Sequence, residues 1–106
     1  MRILLDECLP KDLRKHLVGH ECETVPRAGF SGKGNGELLE EAERSGWEVL
    51  LTLDQGMPYQ QNLLGRTISI AVIKAQSNRL PDLLPQVPRI LTVLRSINRG
   101  QAVLIG

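Results

Sequence analysis

Short aliphatic runs alternate with helix-like segments along the whole chain, and this alternation restricts the fold more than any other feature. These runs predict strands at Arg2–Leu5, Glu48–Leu53, Thr67–Ile73 and Ala102–Ile105, and Glu21–Val25 is predicted as a further strand with Cys22 as an inward candidate and Pro26 at its end. Strands separated by helices favour a parallel sheet with right-handed crossovers and with helices on both faces. We therefore predict an α/β three-layer sandwich with a mainly parallel sheet of about five strands.

The boundaries of the intervening helices are predicted from prolines, glycines and capping residues. Proline favours the first turn of a helix, and glycine favours the position just after its end. The predicted helices run from Pro10 to Gly19, from about Gly36 to Ser45 with Asn35 as the cap, around Tyr59–Leu64, and over Leu80–Ile97 with interruptions at prolines.

Length and composition indicate one aliphatic domain. A chain of 106 residues can build one sheet covered by helices but not two cores, so we predict a single domain over residues 1–106. Aromatic residues make up only 3% of the chain, which disfavours base stacking on an aromatic platform. A net charge of +1 neither supports nor excludes an RNA partner.

The sequence contains no pattern for export or membrane insertion. No stretch approaches the roughly 18 apolar residues of a membrane span, and Met1 leads almost directly into a strand. Cys8 and Cys22 lack metal-ligand spacing and are interpreted as small buried side chains rather than as a disulfide. We expect a cytoplasmic protein with no membrane partner.

Acidic residues follow two of the predicted strands. Asp6 comes directly after Arg2–Leu5, and Asp54 comes directly after Glu48–Leu53. Because parallel strands end at the same edge of a sheet, we expect these carboxylates to converge in one crevice. Their repulsion would be relieved by raised pKa values or by a hard cation, and such oxygen ligands suit Mg²⁺ or Mn²⁺. The alternative is that each aspartate forms a turn or caps a helix.

Further polar side chains are predicted to reach the same edge. Glu37 is the third candidate carboxylate, although an acid in the first turn of a helix also favours the helix dipole. Lys74, Asn78 and Arg79 could hold a phosphate or belong to a solvated loop. Gln60 follows the second aspartate and could position water or a nucleotide, or lie on a polar helix face.

Five short segments occur in the order found in a known family. They are Leu4-Leu5-Asp6-Glu7-Cys8-Leu9-Pro10, Asn35-Gly36-Glu37-Leu38-Leu39, Leu51-Thr52-Leu53-Asp54-Gln55, Tyr59-Gln60-Gln61-Asn62-Leu63 and Ser77-Asn78-Arg79-Leu80. Together they resemble the small PIN-like family of uncharacterised bacterial proteins, over nearly the whole chain.

The resemblance implies a compact PIN-like fold and a Mg²⁺- or Mn²⁺-dependent ribonuclease that acts as the toxin of a toxin–antitoxin pair. RNA is the implied substrate, and a small antitoxin protein is the implied partner. Asp6, Glu37 and Asp54 match the catalytic and metal-binding acids of the family. The candidate substrate-binding residues are Asn35, Gln60, Lys74, Asn78 and Arg79.

Two other classes of function stay open. A receiver-type signalling domain also places acids after strands one and three, but it needs Ser or Thr ending strand four and Lys ending strand five. A non-catalytic PIN-like interaction module is the other alternative, because small PIN-like proteins often form homodimers. The candidate dimer face consists of Leu83, Leu84, Val87, Leu91 and Leu94, which core packing explains equally well.

Overall fold

Five strands form one sheet in which every neighbouring pair is parallel. The computed structural model describes all 106 residues. The strands are β1 (Arg2–Leu5), β2 (Glu21–Thr24), β3 (Val49–Thr52), β4 (Ser69–Ile73) and β5 (Ala102–Ile105). Their order across the sheet is β2-β1-β3-β4-β5. The predicted α/β class and the five-stranded parallel sheet are therefore confirmed.

Four α-helices and two 3₁₀ helices connect the strands. The α-helices are α1 (Asn35–Arg44), α2 (Met57–Gln60), α3 (Leu80–Leu83) and α4 (Val87–Ser96), and the 3₁₀ helices span Lys11–His16 and Leu84–Gln86. None of these helices combines the length and the apolar character needed to cross a bilayer.

The structure corrects three helix predictions. The first predicted helix is a 3₁₀ helix, a tighter form that is common in short connections. The second begins at Asn35 with Gly34 in the capping position, so the predicted cap at Asn35 is wrong. The third lies at Met57–Gln60 rather than Tyr59–Leu64, because Pro58 occupies its first turn, where proline costs no hydrogen bond.

The predicted interruption of the last helical region is confirmed. Pro81, Pro85 and Pro88 each lie in the first turn of a separate segment, namely α3, the second 3₁₀ helix and α4. Leu83 and Leu94 are fully buried against the sheet. These two leucines therefore belong to the core and do not form a dimer face.

Alternate residues of the central strands contribute to two separate hydrophobic clusters. Along β1, Ile3 and Leu5 belong to one cluster and Leu4 to the other, because successive side chains of a strand point to opposite faces. The first 3₁₀ helix, α3 and α4 cover the first face. Helices α1 and α2 cover the second. The sheet thus forms the middle of three layers.

Glu43 connects α1 to the segment that precedes β4. Its carboxylate accepts hydrogen bonds from Thr67 N, Thr67 Oγ1 and Ile68 N, and Arg66 Nη1 lies 3.4 Å from its Oε1. Burial alone would raise the pKa of this carboxyl, but the hydrogen bonds and the Arg66 charge outweigh burial and hold the pKa below its usual value of 4.5. The ionised carboxylate therefore stabilises this connection.

We expect Glu43→Gln to lower the free energy of unfolding by about 1–3 kcal/mol at neutral pH, because a charged acceptor of several hydrogen bonds becomes a neutral amide. Since the pKa is lowered on folding, the contribution of the carboxylate is complete above pH 4.5 and is lost as pH falls through the lowered pKa. Urea unfolding of wild type and variant across acidic and neutral pH measures the difference.

Glu40→Gln is the matched control for this prediction. Glu40 lies on the same helix and makes a single exposed ion pair with Arg44 at 3.2 Å. Its replacement should change the free energy of unfolding by less than about 0.5 kcal/mol. A Glu43→Gln difference that does not shrink at acidic pH would contradict an ionic origin.

Candidate functional site

The topological switch point of the sheet lies between β1 and β3. The chain leaves β1 for β2 on one side and then crosses back to β3 on the other side. In open parallel sheets, the crevice outside the carboxyl ends of the strands at such a point is the usual ligand site. Asp6 directly follows β1, and Asp54 lies two residues beyond β3. The structure thus places both aspartates at the carboxyl ends of two neighbouring strands, at the switch point.

A buried threonine links the two acids. Thr52 is the last residue of β3 and is fully buried. Its Oγ1 donates to Asp6 Oδ2 at 2.7 Å and accepts the backbone N–H of Asp54 at 3.1 Å. Asp6 Oδ1 also accepts the N–H of Glu7 at 2.9 Å, and Asp54 Oδ1 accepts the N–H of Gly56 at 2.9 Å. Both carboxylates are therefore held in fixed orientations.

The role of Thr52 was missed by reasoning from the sequence. The available signal was a single hydroxyl in the aliphatic run from Val49 to Leu53, two residues before Asp54. A buried hydroxyl needs hydrogen-bond partners, and an acid at the end of a neighbouring strand can supply one.

Cys8 lies beside Asp6 and Thr52. Its Sγ is 3.9 Å from Asp6 Oδ2 and 3.7 Å from Thr52 Oγ1. The expectation that Cys8 is buried is wrong, because the chain turns outward here before Leu9 returns to the core. Cys22 packs against the core as expected, and burial raises the pKa of its thiol to about 11. Both cysteines are free.

The segment after β3 brings an amide close to the second aspartate. A Cβ added to Gly56 would lie 3.3 Å from Gln60 Nε2 and 3.4 Å from Asp54 Oδ1, so these two groups flank the same small space. A Cβ added to Gly36 would lie 3.2 Å from Gln61 Oε1, so the same segment contacts the first turn of α1. Gln60 therefore lies beside Asp54, as the sequence predicts.

Glu37 is not brought together with the two aspartates. It lies in the first turn of α1, where its Oε1 is 3.2 Å from Lys33 Nζ and its side chain is 59% exposed. Asn35 is half-buried at the start of the same helix. Nowhere in the chain do three His, Cys, Asp or Glu side chains form a group that could hold a metal ion. The structure thus assembles Asp6 and Asp54 around one hydroxyl, without the predicted third acid.

The predicted phosphate-binding residues follow β4 at the same edge of the sheet. Thr52 pairs with Val72 in the register of β3 with β4, so Lys74 lies two residues beyond the level of that threonine. Lys74, Asn78 and Arg79 are all exposed. Neither Lys74 nor Arg79 takes part in a salt bridge of the chain. Two cations are therefore available to an anionic ligand.

No family model, curated protein or solved structure matches the chain.

The oxygen groups at the switch point are two carboxylates and a hydroxyl, all hard ligands of the kind that Mg²⁺ and Mn²⁺ prefer. Mg²⁺ commonly keeps several waters and is held by one or two carboxylates together with substrate phosphates. The two carboxylates are therefore of the ligand type that such a cation takes, and no third acid joins them.

Proposed function

We propose that the chain is a Mg²⁺- or Mn²⁺-dependent ribonuclease with its centre at Asp6, Thr52 and Asp54. The observation that carries this proposal is the buried hydroxyl of Thr52, which donates to the Asp6 carboxylate and accepts the backbone N–H of Asp54 at the switch point of the sheet. Thr52 is the one non-aliphatic residue of β3, and its hydroxyl donates directly to the Asp6 carboxylate.

A cation held by Asp6 and Asp54 would supply an activated water and would stabilise charge on a phosphodiester during in-line attack. Thr52 keeps the Asp6 carboxylate from rotating away from the crevice, and the Gly56 N–H does the same for Asp54. The Gln60 amide beside Asp54 can orient a water through one hydrogen bond. Thr52, Gly56 and Gln60 would thus act by holding the two charged carboxylates and a water molecule in fixed positions.

RNA is the proposed substrate because exposed cations follow the next strand at the same edge. Lys74 and Arg79 would bind backbone phosphates, while Asn78 and Asn35 could donate to phosphate or ribose oxygens. Contacts of this kind position a strand without identifying its bases. With a net charge of only +1, binding should depend on these local contacts and weaken with added salt.

The wider biological role is proposed from the resemblance to the small PIN-like family. On that basis the chain acts in the cytoplasm as the toxin of a toxin–antitoxin pair and binds a small antitoxin protein. Glu37 stays a candidate third ligand, and reaching the aspartates would require it to leave Lys33. A homodimer also belongs to this proposal, with Leu84 as the exposed member of the predicted face.

Mn²⁺ titration by calorimetry, followed by cleavage of single-stranded RNA in the same buffer, tests the proposed function. We expect saturable Mn²⁺ binding and metal-dependent cleavage by the wild type, and loss of both in Asp54→Asn. Asp12→Asn is the matched control, because Asp12 pairs with Lys15 at 3.4 Å in the first 3₁₀ helix. Equal binding by all three proteins, or none at millimolar Mn²⁺, would favour the non-catalytic interaction module.

A receiver-type phosphoacceptor is the second candidate, because the strand order β2-β1-β3-β4-β5 also occurs in receiver domains. The residues that follow β4 and β5 are Lys74 and Gly106, which differ from the Ser or Thr and the Lys that a receiver needs. Incubation with a small phosphodonor and intact-mass analysis separates the two candidates. A phosphoryl mass on the wild type that is absent from Asp54→Asn would favour the receiver.

A further inference from the structure

The two edge strands of the sheet differ in how their free backbone groups are used. The order β2-β1-β3-β4-β5 leaves β2 and β5 at the edges. At β2, the N–H of Thr24 donates to Glu23 Oε1 at 3.1 Å, and the C=O of Thr24 accepts from Ala28 N at 2.9 Å. Glu21 and Glu23 also place charge on this edge, which commonly prevents a further strand from pairing. The β2 edge is therefore protected.

The β5 edge has no such protection. Ile105 O accepts the N–H of Lys74 at 2.7 Å, so the backbone groups of Ile105 face β4. Since the backbone groups of a strand alternate between its two sides, the N–H and C=O groups of Ala102 and Leu104 point away from β4. No loop backbone bonds to them, and β5 contains neither a charge nor a proline. The β5 edge can therefore accept a further strand.

An apolar groove of about 350 Å³ lies between α2 and β5. Its lining includes Pro58, Tyr59, Val72, Ala102 and Leu104. The side chains of Tyr59 and Leu104 are 92% and 59% exposed, so little of the chain covers this apolar surface. Because alternate residues of a strand point to the same face, every second side chain of an added strand would lie in the groove. The groove favours apolar side chains at those positions.

The opposite face of β5 presents a cation. Arg89 lines a second groove, of about 360 Å³, together with other residues of α4 and β5. Arg99 lies three residues before β5. Both arginines are exposed, and neither takes part in a salt bridge of the chain. No acid occurs between Asp82 and Gly106. The surroundings of β5 therefore favour an acidic partner.

A second copy of the chain fits this edge less well than an acidic segment does. Two identical edge strands related by a two-fold axis pair in antiparallel order. The start of one β5 would then lie beside the end of the other. Arg99 would approach Arg89 of the partner subunit, because Arg89 lines a groove with the last residues of β5. Like charges at this distance would repel each other.

We propose that β5 binds an acidic, extended segment of another protein, which adds a sixth strand to the sheet. The backbone of this segment pairs with Ala102 and Leu104. Its apolar side chains fill the groove beside Tyr59, and acidic side chains on its other face reach Arg89. The proposal does not depend on the nuclease, since neither carboxylate of the candidate site takes part in it.

Titration of ¹⁵N-labelled protein with a capped peptide of alternating valine and glutamate, roughly eight residues long, tests the proposal. We expect a Kd on the order of 0.1 mM, with the largest amide shifts and slowed hydrogen exchange at Ala102 and Leu104. Lysine in place of glutamate in the peptide should weaken binding about tenfold or more. N-methylation of the peptide's backbone N–H groups should abolish binding, because it removes the hydrogen bonds to β5. Equal affinity of the methylated and parent peptides would overturn the proposal.

Two variants assign the contacts. Arg89→Glu should weaken peptide binding about tenfold or more, because it replaces attraction by repulsion. Leu104→Pro removes an outward N–H but no hydrogen bond to β4, and should prevent strand addition. The methylated peptide makes the same test without altering the protein.

Arg95→Glu is the matched control for charge, since it makes the same change on the same helix. Arg95 lies near His20, where burial, the amino terminus and the Arg95 charge together lower the pKa of the imidazole. We expect Arg95→Glu to bind the peptide like the wild type. Equal affinities of Arg89→Glu and Arg95→Glu would contradict the contact with Arg89.

Other occupants of the β5 edge give different results. A second copy on β5 would produce concentration-dependent dimers in sedimentation without peptide, and hydrogen exchange at Leu104 would already be slow. Single-stranded RNA on β5 would shift the Ala102 and Leu104 amides in EDTA more strongly than the peptide does. Either result would overturn the proposal, whether or not the chain cleaves RNA.

Discussion

Replacing Asp6 by asparagine should lower the rate of Mn²⁺-dependent RNA cleavage by more than about a hundredfold while preserving the fold. Asparagine keeps the shape of the side chain but removes its charge. The Asp6 carboxylate accepts from Thr52 Oγ1 and from the N–H of Glu7, so in the variant one of these donors meets an amide NH₂ group. Single-turnover cleavage at saturating Mn²⁺ measures the loss, and thermal unfolding checks the fold.

Glu7→Gln is the matched control, because Glu7 is the adjacent acid and is exposed, whereas the Thr52 hydroxyl donates to Asp6. We expect Glu7→Gln to cleave RNA at the wild-type rate. Cleavage by Asp6→Asn at the same rate as Glu7→Gln would show that Asp6 is not a ligand.

Thr52→Val removes only the hydroxyl and should lower the rate of RNA cleavage about 10- to 100-fold, the usual effect of losing a group that orients a metal ligand. Thr52→Ser should restore most of the rate.

Most of the sheet could be predicted from the sequence because four of its strands, all but β2, are short aliphatic runs that charged or glycine residues interrupt. Arg2–Leu5 and Ala102–Ile105 have the predicted bounds, whereas the other three strands are shorter by one or two residues at their ends. The strands are shorter where their predicted terminal residues make single backbone hydrogen bonds instead of the regular pairs of hydrogen bonds between neighbouring strands. Ser69 N, for example, bonds the carbonyl of Glu48, which lies just outside β3.

The helices were predicted less accurately because their ends depend on backbone hydrogen bonds that composition does not specify. The polar run from Tyr59 to Leu64 has helix-forming side chains, yet α2 has already ended at Gln60. Leu63 packs against the second cluster, but Leu64 is 89% exposed, so the segment has no continuous buried helical face. Tertiary burial therefore outweighed local propensity in this segment.

Part of the candidate site followed from topology alone. Asp6 and Asp54 could be predicted to approach each other because parallel strands end at one edge. The pairing of Glu37 with Lys33 could not be predicted, because it depends on the path of the loop that leads from β2 into α1. Sequence pattern therefore located the edge, and side-chain geometry determined which residues meet there.

Leu50→Ala should lower the free energy of unfolding by about 2–5 kcal/mol, the cost of removing a large side chain from a packed core. Leu50 is fully buried in the middle of β3. It pairs with Leu4 of β1 and Ile70 of β4, and all three belong to the cluster under α1 and α2. Few neighbours can move to fill the cavity, because the sheet continues on both sides. Urea unfolding at neutral pH measures the change.

Leu104→Ala is the matched control, since it is the same substitution in another strand of the same sheet. Leu104 lies on the edge strand β5 and is 59% exposed, so its replacement should change stability by less than about 0.5 kcal/mol. Equal losses in the two variants would contradict the burial difference between them. A loss at Leu104 that grows with protein concentration would instead show that β5 is covered in solution by a second copy, because association then contributes to the measured stability. The pair of variants thus separates the packing of the core from any packing between chains.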